Sequence, residues 1–177
     1  MNFLSYKSSD LNKKTIYSIC KLKDSQWKYG LESQLSWYSK NVKPDDLHNM
    51  LFINNELIGY TLLRKRTIKL FQNNQIFLKK YLLFDTLIID TKNRKQNLGS
   101  NLMDFNSKII LTQKLSSFLI CNDDLVKFYE KYNWVILKND LFQVMDHKFS
   151  TNGLICNQLN LVEDIHKIKK IHFYIYE

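Results

Sequence analysis

The residues best placed to do chemistry sit in one stretch, Leu82 to Trp134. An apolar run from Tyr81 to Ile89 is short enough for a buried strand and too short to span a membrane. It gives way to a polar loop carrying Asn93, Arg94, Lys95, Gln96 and Asn97. A helical pattern opens with Leu98, Gly99 and Ser100, in which Leu98, Leu102, Phe105 and Ile109 recur at i, i+4, i+7 and i+11. Strand, basic loop and helix start make the geometry of an anion cradle. The N–H groups of a first helical turn have no acceptor within the helix, and the helix dipole favours a phosphate there. The bland alternative is an ordinary basic loop opening an amphipathic helix.

Other chemistry-bearing side chains admit two readings each. Asp85, between Phe84 and Thr86, is a carboxylate inside an apolar run, where burial without partners is costly. It faces solvent or pairs with Lys79 or Lys80, or it has a chemical role. Tyr129 shares an apolar helical face with Leu125, Phe128 and Tyr132, so a core tyrosine is the plain reading. Asn122 and Asp123 stand where a helix cap with dipole-matching acids belongs. Asp45, Asp46, Asp124 and the C-terminal carboxylate of Glu177 are weaker candidates to meet an amine. Cys121 lies in an apolar strand with no histidine nearby in sequence and reads as a small core residue, not a nucleophile. His48, His147, His166 and His172 show no metal-ligand spacing, and no metal site is expected.

Arg94-x-x-Asn97-x-Gly99-Ser100 after a strand resembles motif A of the GCN5-related N-acetyltransferases, usually Arg/Gln-x-x-Gly-x-Gly/Ala. Asn122 to Trp134, a helix carrying Phe128-Tyr129 and ending just before an aromatic, resembles motif B. The match covers about a third of the chain well, and the rest fits in element order. The spacing, the Asp123-Asp124 pair and Lys127-Phe128-Tyr129 are most similar to the aminoglycoside 2′-N-acetyltransferase branch. The resemblance implies that Arg94, Lys95, Gln96, Asn97, Leu98, Gly99 and Ser100 hold the pyrophosphate of acetyl-coenzyme A. The backbone of Leu87, Ile88 and Ile89 would pair with the pantetheine arm along a splayed strand, and Asn122 would also meet the cofactor. Tyr129 would protonate the departing thiolate, and Asp85 would accept the amine's proton through water. Asn97 replaces the first motif glycine. Asparagine tolerates left-handed backbone better than most other residues, so the loop's shape is expected to survive.

The acceptor implied by that branch is an amino sugar. Aminoglycosides are polycations that want an acidic pocket, whereas this chain of 177 residues carries a net charge of +9. A nucleotide-linked amino sugar fits the charge as well as an aminoglycoside fits the branch, and both stay open. The lysines are dispersed from Lys7 to Lys170, with the densest basic run at Arg64-Lys65-Arg66, so a nucleic-acid role is the weaker expectation. A non-catalytic coenzyme A-binding or nucleic-acid-binding module on the same fold is the rival to the enzyme. Three widely spaced cysteines without a metal pattern read as reduced thiols of a cytoplasmic protein, and no signal peptide or membrane segment is apparent. A homodimer stays open.

The supporting elements follow from the pattern. A strand over residues 1–7 precedes a helix from Leu11 to Leu22 with Asp10 as its cap, and a second helix from Gln26 to Tyr38. A meander comes next: a strand over Met50–Ile53, a turn at Asn54-Asn55, a strand over Glu56–Leu70, a turn at Asn73-Asn74, and the strand ending at Asp90. After the Leu98 helix come a strand over Leu115–Cys121, a helix over Asp123–Tyr132, strands over Trp134–Leu137 and Leu141–His147, and a last strand over Ile171–Tyr176. The expected fold is α+β and one domain: a mixed, mostly antiparallel central sheet flanked by helices and splayed between two central strands.

Overall fold

The computed structural model describes residues 1–146, 152–156 and 168–176. They form a mixed α+β fold with a mostly antiparallel sheet flanked by helices. Two compact units make it up: Met1–Arg64 with Phe84–Ile109, and Lys65–Leu83 with Ile110–Glu177.

The first unit begins with strand β1 (Asn2–Lys7), then helices α1 (Lys13–Trp27) and α2 (Leu31–Asn41). The expected cap Asp10 belongs instead to a short 3-10 turn, Ser8–Asp10. Asn12 caps α1, its side chain accepting the Thr15 N–H at 2.9 Å. Trp27 closes α1 and does not begin α2, because Lys28 (φ 48°) and Gly30 (φ 87°) take left-handed backbone between them. The Gly30 N–H donates to Asp24 Oδ1 at 2.7 Å, fixing that break.

Strands β2 (Leu47–Ile53), β3 (Glu56–Gln72) and β4 (Gln75–Ile89) form the meander. The Asn54-Asn55 and Asn73-Asn74 turns have φ of 49° and 64°, and of 49° and 61°, the two positive angles that a tight hairpin turn requires. β1 and β3 both run antiparallel to β2. One apolar cluster sets Ile19 and Leu22 of α1 against Met50, Tyr60, Leu62 and Ile88. A second sets Leu51 and Ile58 against Leu98 and Leu102 of α3 (Leu98–Gln113). Five successive residues of β2 are buried for that reason, as in a sheet covered on both faces. Gly59 makes the close packing possible, since a Cβ there would lie 2.8 Å from Ile89 Cδ1 and 3.2 Å from Leu51 Cβ.

The second unit contains the turn-proximal ends of β3 and β4, strand β5 (Ser117–Cys121), helix α4 (Asp123–Glu130), and strands β6 (Trp134–Ile136), β7 (Phe142–Val144), β8 (Asn152–Cys156) and β9 (Ile168–Phe173). β5 and β6 both pair antiparallel with β8, and β9 pairs antiparallel with β3 and parallel with β7. Strand β8 was not expected from the sequence. It is five residues long and starts Asn-Gly, and Gly153 is required because a Cβ would meet the Phe142 ring at 2.5 Å. The last strand also begins earlier than expected, at Ile168. Aromatic residues fill this core, with Tyr81 edge-on to Phe173 at 5.1 Å and Phe118 edge-on to Phe142 at 5.8 Å.

Candidate functional site

The parallel pairing of β4 with β5 is confined to Leu82 with Ser117 and Leu83 with Phe118. β4 nevertheless runs on to Ile89, with no partner strand on that edge among the described residues. That is the expected splay. It leaves that edge of Asp85–Ile88 open to a peptide-like ligand. The side chains of Leu87 and Ile89 pack into the α3 cluster and Ile88 into the α1 cluster, which locks the strand while its backbone edge stays open.

The loop after β4 is braced at several points. Asp90 donates its N–H to the Ile58 carbonyl at 2.8 Å, and Asn93 Nδ2 donates to Asp90 Oδ2 at 2.9 Å. Arg94 Nε donates to the Ile89 carbonyl at 3.1 Å, and its guanidinium also reaches the Gln26 side-chain oxygen. Arg94 therefore ties the loop to the strand end and to α1. Lys95 and Asn97 take left-handed backbone, with φ of 63° and 60°. Alternating conformations of this kind turn successive N–H groups toward one concavity. The Asn97 carbonyl accepts the first helical bond, from Asn101 N–H at 3.1 Å. The N–H groups of Leu98, Gly99 and Ser100 then lie in the first turn, without helical acceptors.

Asparagine in place of the motif glycine thus keeps the angle a glycine would supply. Gly99 differs in kind. A Cβ there would touch only Ile89 Cγ1, at 3.9 Å, so neither packing nor a positive φ demands a glycine. Gln96, Lys95 and Asn97 are exposed, while Leu98 is buried against Leu51 and Leu102 and anchors the helix start. These residues fit a diphosphate: free amides, an open glycine position and basic side chains around it.

Asp85 in β4 does not pair with Lys79 or Lys80. Its Oδ2 accepts from Arg64 Nη1 at 2.9 Å, and the Arg64 side chain is 1% exposed against 22% for Asp85. Arg64 Nη2 donates further to the Asn41 carbonyl at 3.2 Å. Lys23 of α1 completes a buried polar layer, its Nζ 3.7 Å from the centre of the Trp37 ring. His48, assigned no role from the sequence, sits between the Tyr60 hydroxyl at 2.8 Å on Nδ1 and the Ser8 hydroxyl at 2.7 Å on Nε2. Burial holds its pKa down at about 4, against a smaller upward pull from Asp46.

The sequence carries a signal for these missed residues. Lys23 falls four after Ile19 on the apolar face of α1. Arg64 and Arg66 fall in phase with Tyr60, Leu62, Ile68 and Leu70 on β3. The run Arg64-Lys65-Arg66 is therefore not a surface patch: both arginines are buried.

In the second unit Tyr129 is 7% exposed. Its ring stands edge-on to Trp134 at 6.1 Å and to Phe128 at 5.3 Å. Burial, with a smaller push from Cys121, raises its hydroxyl well above the usual tyrosine pKa, so it remains a neutral donor. The apolar face drawn from the sequence is only partly in the core, since Leu125 is 42% exposed. Asn122 stands at the N-cap of α4 without a side-chain capping bond; its carbonyl accepts the Leu125 N–H at 3.1 Å. Asp123 instead accepts from the Asn152 side chain. Burial lifts the Cys121 thiol to about pKa 11, with Asp124 and Asp123 adding to it, in keeping with an inert core thiol.

Two of the weaker carboxylate candidates have partners within the first unit. Asp45 pairs with exposed Lys7 at 3.1 Å, and fully buried Asp46 accepts the Lys43 N–H at 2.9 Å. His147, His166 and Glu177 lie outside the described residues. No group of residues able to hold a metal ion occurs among the described ones. Among them, too, no helix is long and apolar enough to cross a membrane.

The fold so defined is that of the GCN5-related N-acetyltransferases. An acyl-CoA N-acyltransferase from Pseudomonas aeruginosa superposes with a TM-score of 0.66 at 15% identity, covering 88% of this chain and 99% of its own. Tetrahymena GCN5 superposes with a TM-score of 0.63 at 11% identity, covering 88% of this chain and 95% of its own. An aminoglycoside 6′-N-acetyltransferase in complex with coenzyme A superposes with a TM-score of 0.57 at 15% identity, covering 86% and 94%. At such identities the likeness is one of fold. No family model and no curated protein matches the chain by sequence.

Proposed function

We propose that the chain is an N-acyltransferase that uses acetyl-coenzyme A and acts on the primary amine of an amino sugar, by direct transfer in a ternary complex. The observation that carries this reading is the loop between β4 and α3, with left-handed Lys95 and Asn97, an undemanded Gly99 and the first-turn amides of α3. The coenzyme supplies an acyl group activated as a thioester. Arg94 to Ser100 hold its diphosphate, Arg94 chiefly by fixing the loop and Lys95 by charge. The open edge of Leu87, Ile88 and Ile89 holds the pantetheine arm by backbone hydrogen bonds, with Asn122 as a further contact. Holding both reactants in one geometry removes the need for a covalent enzyme intermediate. The Tyr129 hydroxyl, kept neutral by burial, donates its proton to the departing thiolate. Asp85, oriented by Arg64, takes the proton of the attacking amine through water. The buried cysteines, all unpaired, fit a reducing cytoplasm.

The commitment of Asp85 to Arg64 is the observation that favours the rival, a coenzyme A-binding module without turnover. Two measurements separate them. Acetyl-coenzyme A raises the melting temperature on either reading. Release of the free thiol over a panel of amines occurs only for the enzyme. No thermal shift at millimolar cofactor would end both.

A further inference from the structure

In the second unit, β3 and β9 bury one face of the sheet and expose the other. Ile68 and Leu70 of β3, with Ile171 and Phe173 of β9, turn into the core. The alternate residues stand on the opposite, outer face. Cross-strand pairing there sets Lys69 beside His172 and Phe71 beside Lys170, and the Phe71 and His172 rings lie 4.5 Å apart. Lys80 of β4 donates to Thr67 Oγ1 at 2.7 Å, which puts Lys80 on the same face. Ile76 and Leu78 alternate in phase with Lys80 and are 61% and 66% exposed. All of Gln75–Lys80 is exposed, with no strand beyond it on the edge away from β3 among the described residues. The charge on these strands has one sign. Residues 65–83 and 168–176 contain Lys65, Arg66, Lys69, Lys79, Lys80, Lys169 and Lys170, and no Asp or Glu. Arg66 is buried. Among the described residues, Lys69, Lys79, Lys80, Lys169 and Lys170 form no ion pair. Asp146 meets the end of β9, where it accepts the Ile175 and Tyr176 N–H groups at 2.9 and 2.6 Å. His172 feels the same excess: burial first, and then the charges of Lys170 and Lys69, hold its pKa below the usual histidine value.

We propose that this outer face rests on an anionic lipid bilayer, with Ile76 and Leu78 entering the boundary between headgroups and acyl chains while Lys69, Lys80 and Lys170 meet lipid phosphates. Exposed aliphatic side chains set among lysines on one face are what such a surface takes up, by apolar burial and by attraction to anionic headgroups together. A nucleic acid would answer the lysines but has no apolar interior to receive Ile76 and Leu78. A second copy would set a second group of lysines against the first, and lysines on an exposed strand edge oppose pairing. Docking of this kind is independent of acyl transfer.

Co-sedimentation of the full chain with vesicles tests this. Vesicles of phosphatidylcholine with about one-third phosphatidylglycerol are expected to carry the protein down, and vesicles of phosphatidylcholine alone are not. Molar salt should release it. The combined variant Lys69→Gln, Lys80→Gln, Lys170→Gln is expected to lower the partition coefficient roughly a hundredfold, at about fivefold for each lysine near the surface. Ile76→Ser with Leu78→Ser is expected to lower it roughly tenfold. Both positions are mostly exposed, so the fold is retained, and a melting curve checks that. Lys13→Gln, Lys14→Gln, Lys21→Gln removes the same net charge from exposed positions on α1 and should change the partition less than about twofold. Failure to sediment with the anionic vesicles, or an equal loss in the two lysine triples, would overturn the proposal. So would a duplex oligonucleotide bound alike by the wild type and the serine variant while vesicles are not, which assigns the face to nucleic acid. Dimerisation in lipid-free solution that the serine variant abolishes would assign it to a second copy and overturn the proposal as well.

Discussion

Gly99→Val separates what the fold needs from what a ligand needs. In the first turn of α3, glycine is about 1 kcal/mol worse than alanine and valine about 0.6 kcal/mol worse, so the exchange is worth a few tenths in favour of folding. The new Cβ meets only Ile89 Cγ1, at 3.9 Å, an ordinary contact. Stability of the free protein is therefore expected to stay within about 0.5 kcal/mol of the parent. The cofactor result should be very different if the amides of this turn hold a diphosphate, because a branched side chain now occupies its approach. At a cofactor concentration a hundredfold above Kd the parent gains about 2.7 kcal/mol. A hundredfold loss of affinity leaves RT ln 2, about 0.4 kcal/mol. For a chain of this size those figures correspond to melting shifts of roughly 5–10 °C and 1–2 °C. The assay is thermal unfolding of both proteins with and without acetyl-coenzyme A. A Gly99→Val protein with the full shift would refute the cradle. One that is badly destabilised without ligand would refute the claim that the fold does not need this glycine. Asn97→Gly serves as control and should keep or improve the shift, since the φ of 60° is open to glycine at no cost.

Tyr129→Phe is expected to lower kcat by roughly 10²–10⁴-fold while costing about 1 kcal/mol of stability or less, since the ring contacts with Trp134 and Phe128 persist; turnover at saturating acetyl-coenzyme A checks it, and full activity would leave the proton to another group. His48 has a folded pKa of about 4 against about 6.5 unfolded, so the unfolded chain binds its proton more readily. Stability from this residue is complete above about pH 6.5 and declines as pH falls through that window, by roughly 3 kcal/mol once pH 4 is passed. Urea midpoints between pH 7.5 and 4.5 should show that slope, and a His48→Phe protein should show less of it. Arg64→Met leaves Asp85 without its partner and is expected to cost about 3 kcal/mol, whereas adding Asp85→Leu should recover most of the loss; urea denaturation of the single and double variants measures both.

Local pattern makes the loop between β4 and α3, with its flanking elements, legible in the sequence alone. An apolar run, a basic loop and a helical repeat are all short-range signals, and each survives as β4, the braced loop and α3. The two Asn-Asn turns are legible for the same reason, since few residue pairs accept two positive φ angles in succession. Helix boundaries are less so. The spacing of Trp27, Leu31, Leu35 and Tyr38 continues a helical stripe across Lys28 and Gly30, and nothing in that stripe shows that the backbone turns left-handed between them. Strand β8 escapes because five residues beginning Asn-Gly give no periodic signal, and its place depends on Phe142 from another strand.

The polar layer around Asp85 is hidden by a different cause. Its groups come from four separated places: Lys23 on α1, Trp37 on α2, Arg64 on β3 and Asp85 on β4. Taken one at a time, Lys23 is one of many lysines, Arg64 belongs to a basic run, and Asp85 is an oddity beside two nearby lysines. Period and phase place Lys23 and Arg64 on buried faces. No sequence rule assigns Arg64 to Asp85 in preference to Lys79 or Lys80, because the pair forms only once β3 and β4 lie side by side. Antiparallel pairing puts the two positions within reach, and burial then favours the guanidinium, whose planar fork can serve Asp85 and the Asn41 carbonyl together. The net charge of +9 by itself weighs against a polycationic acceptor.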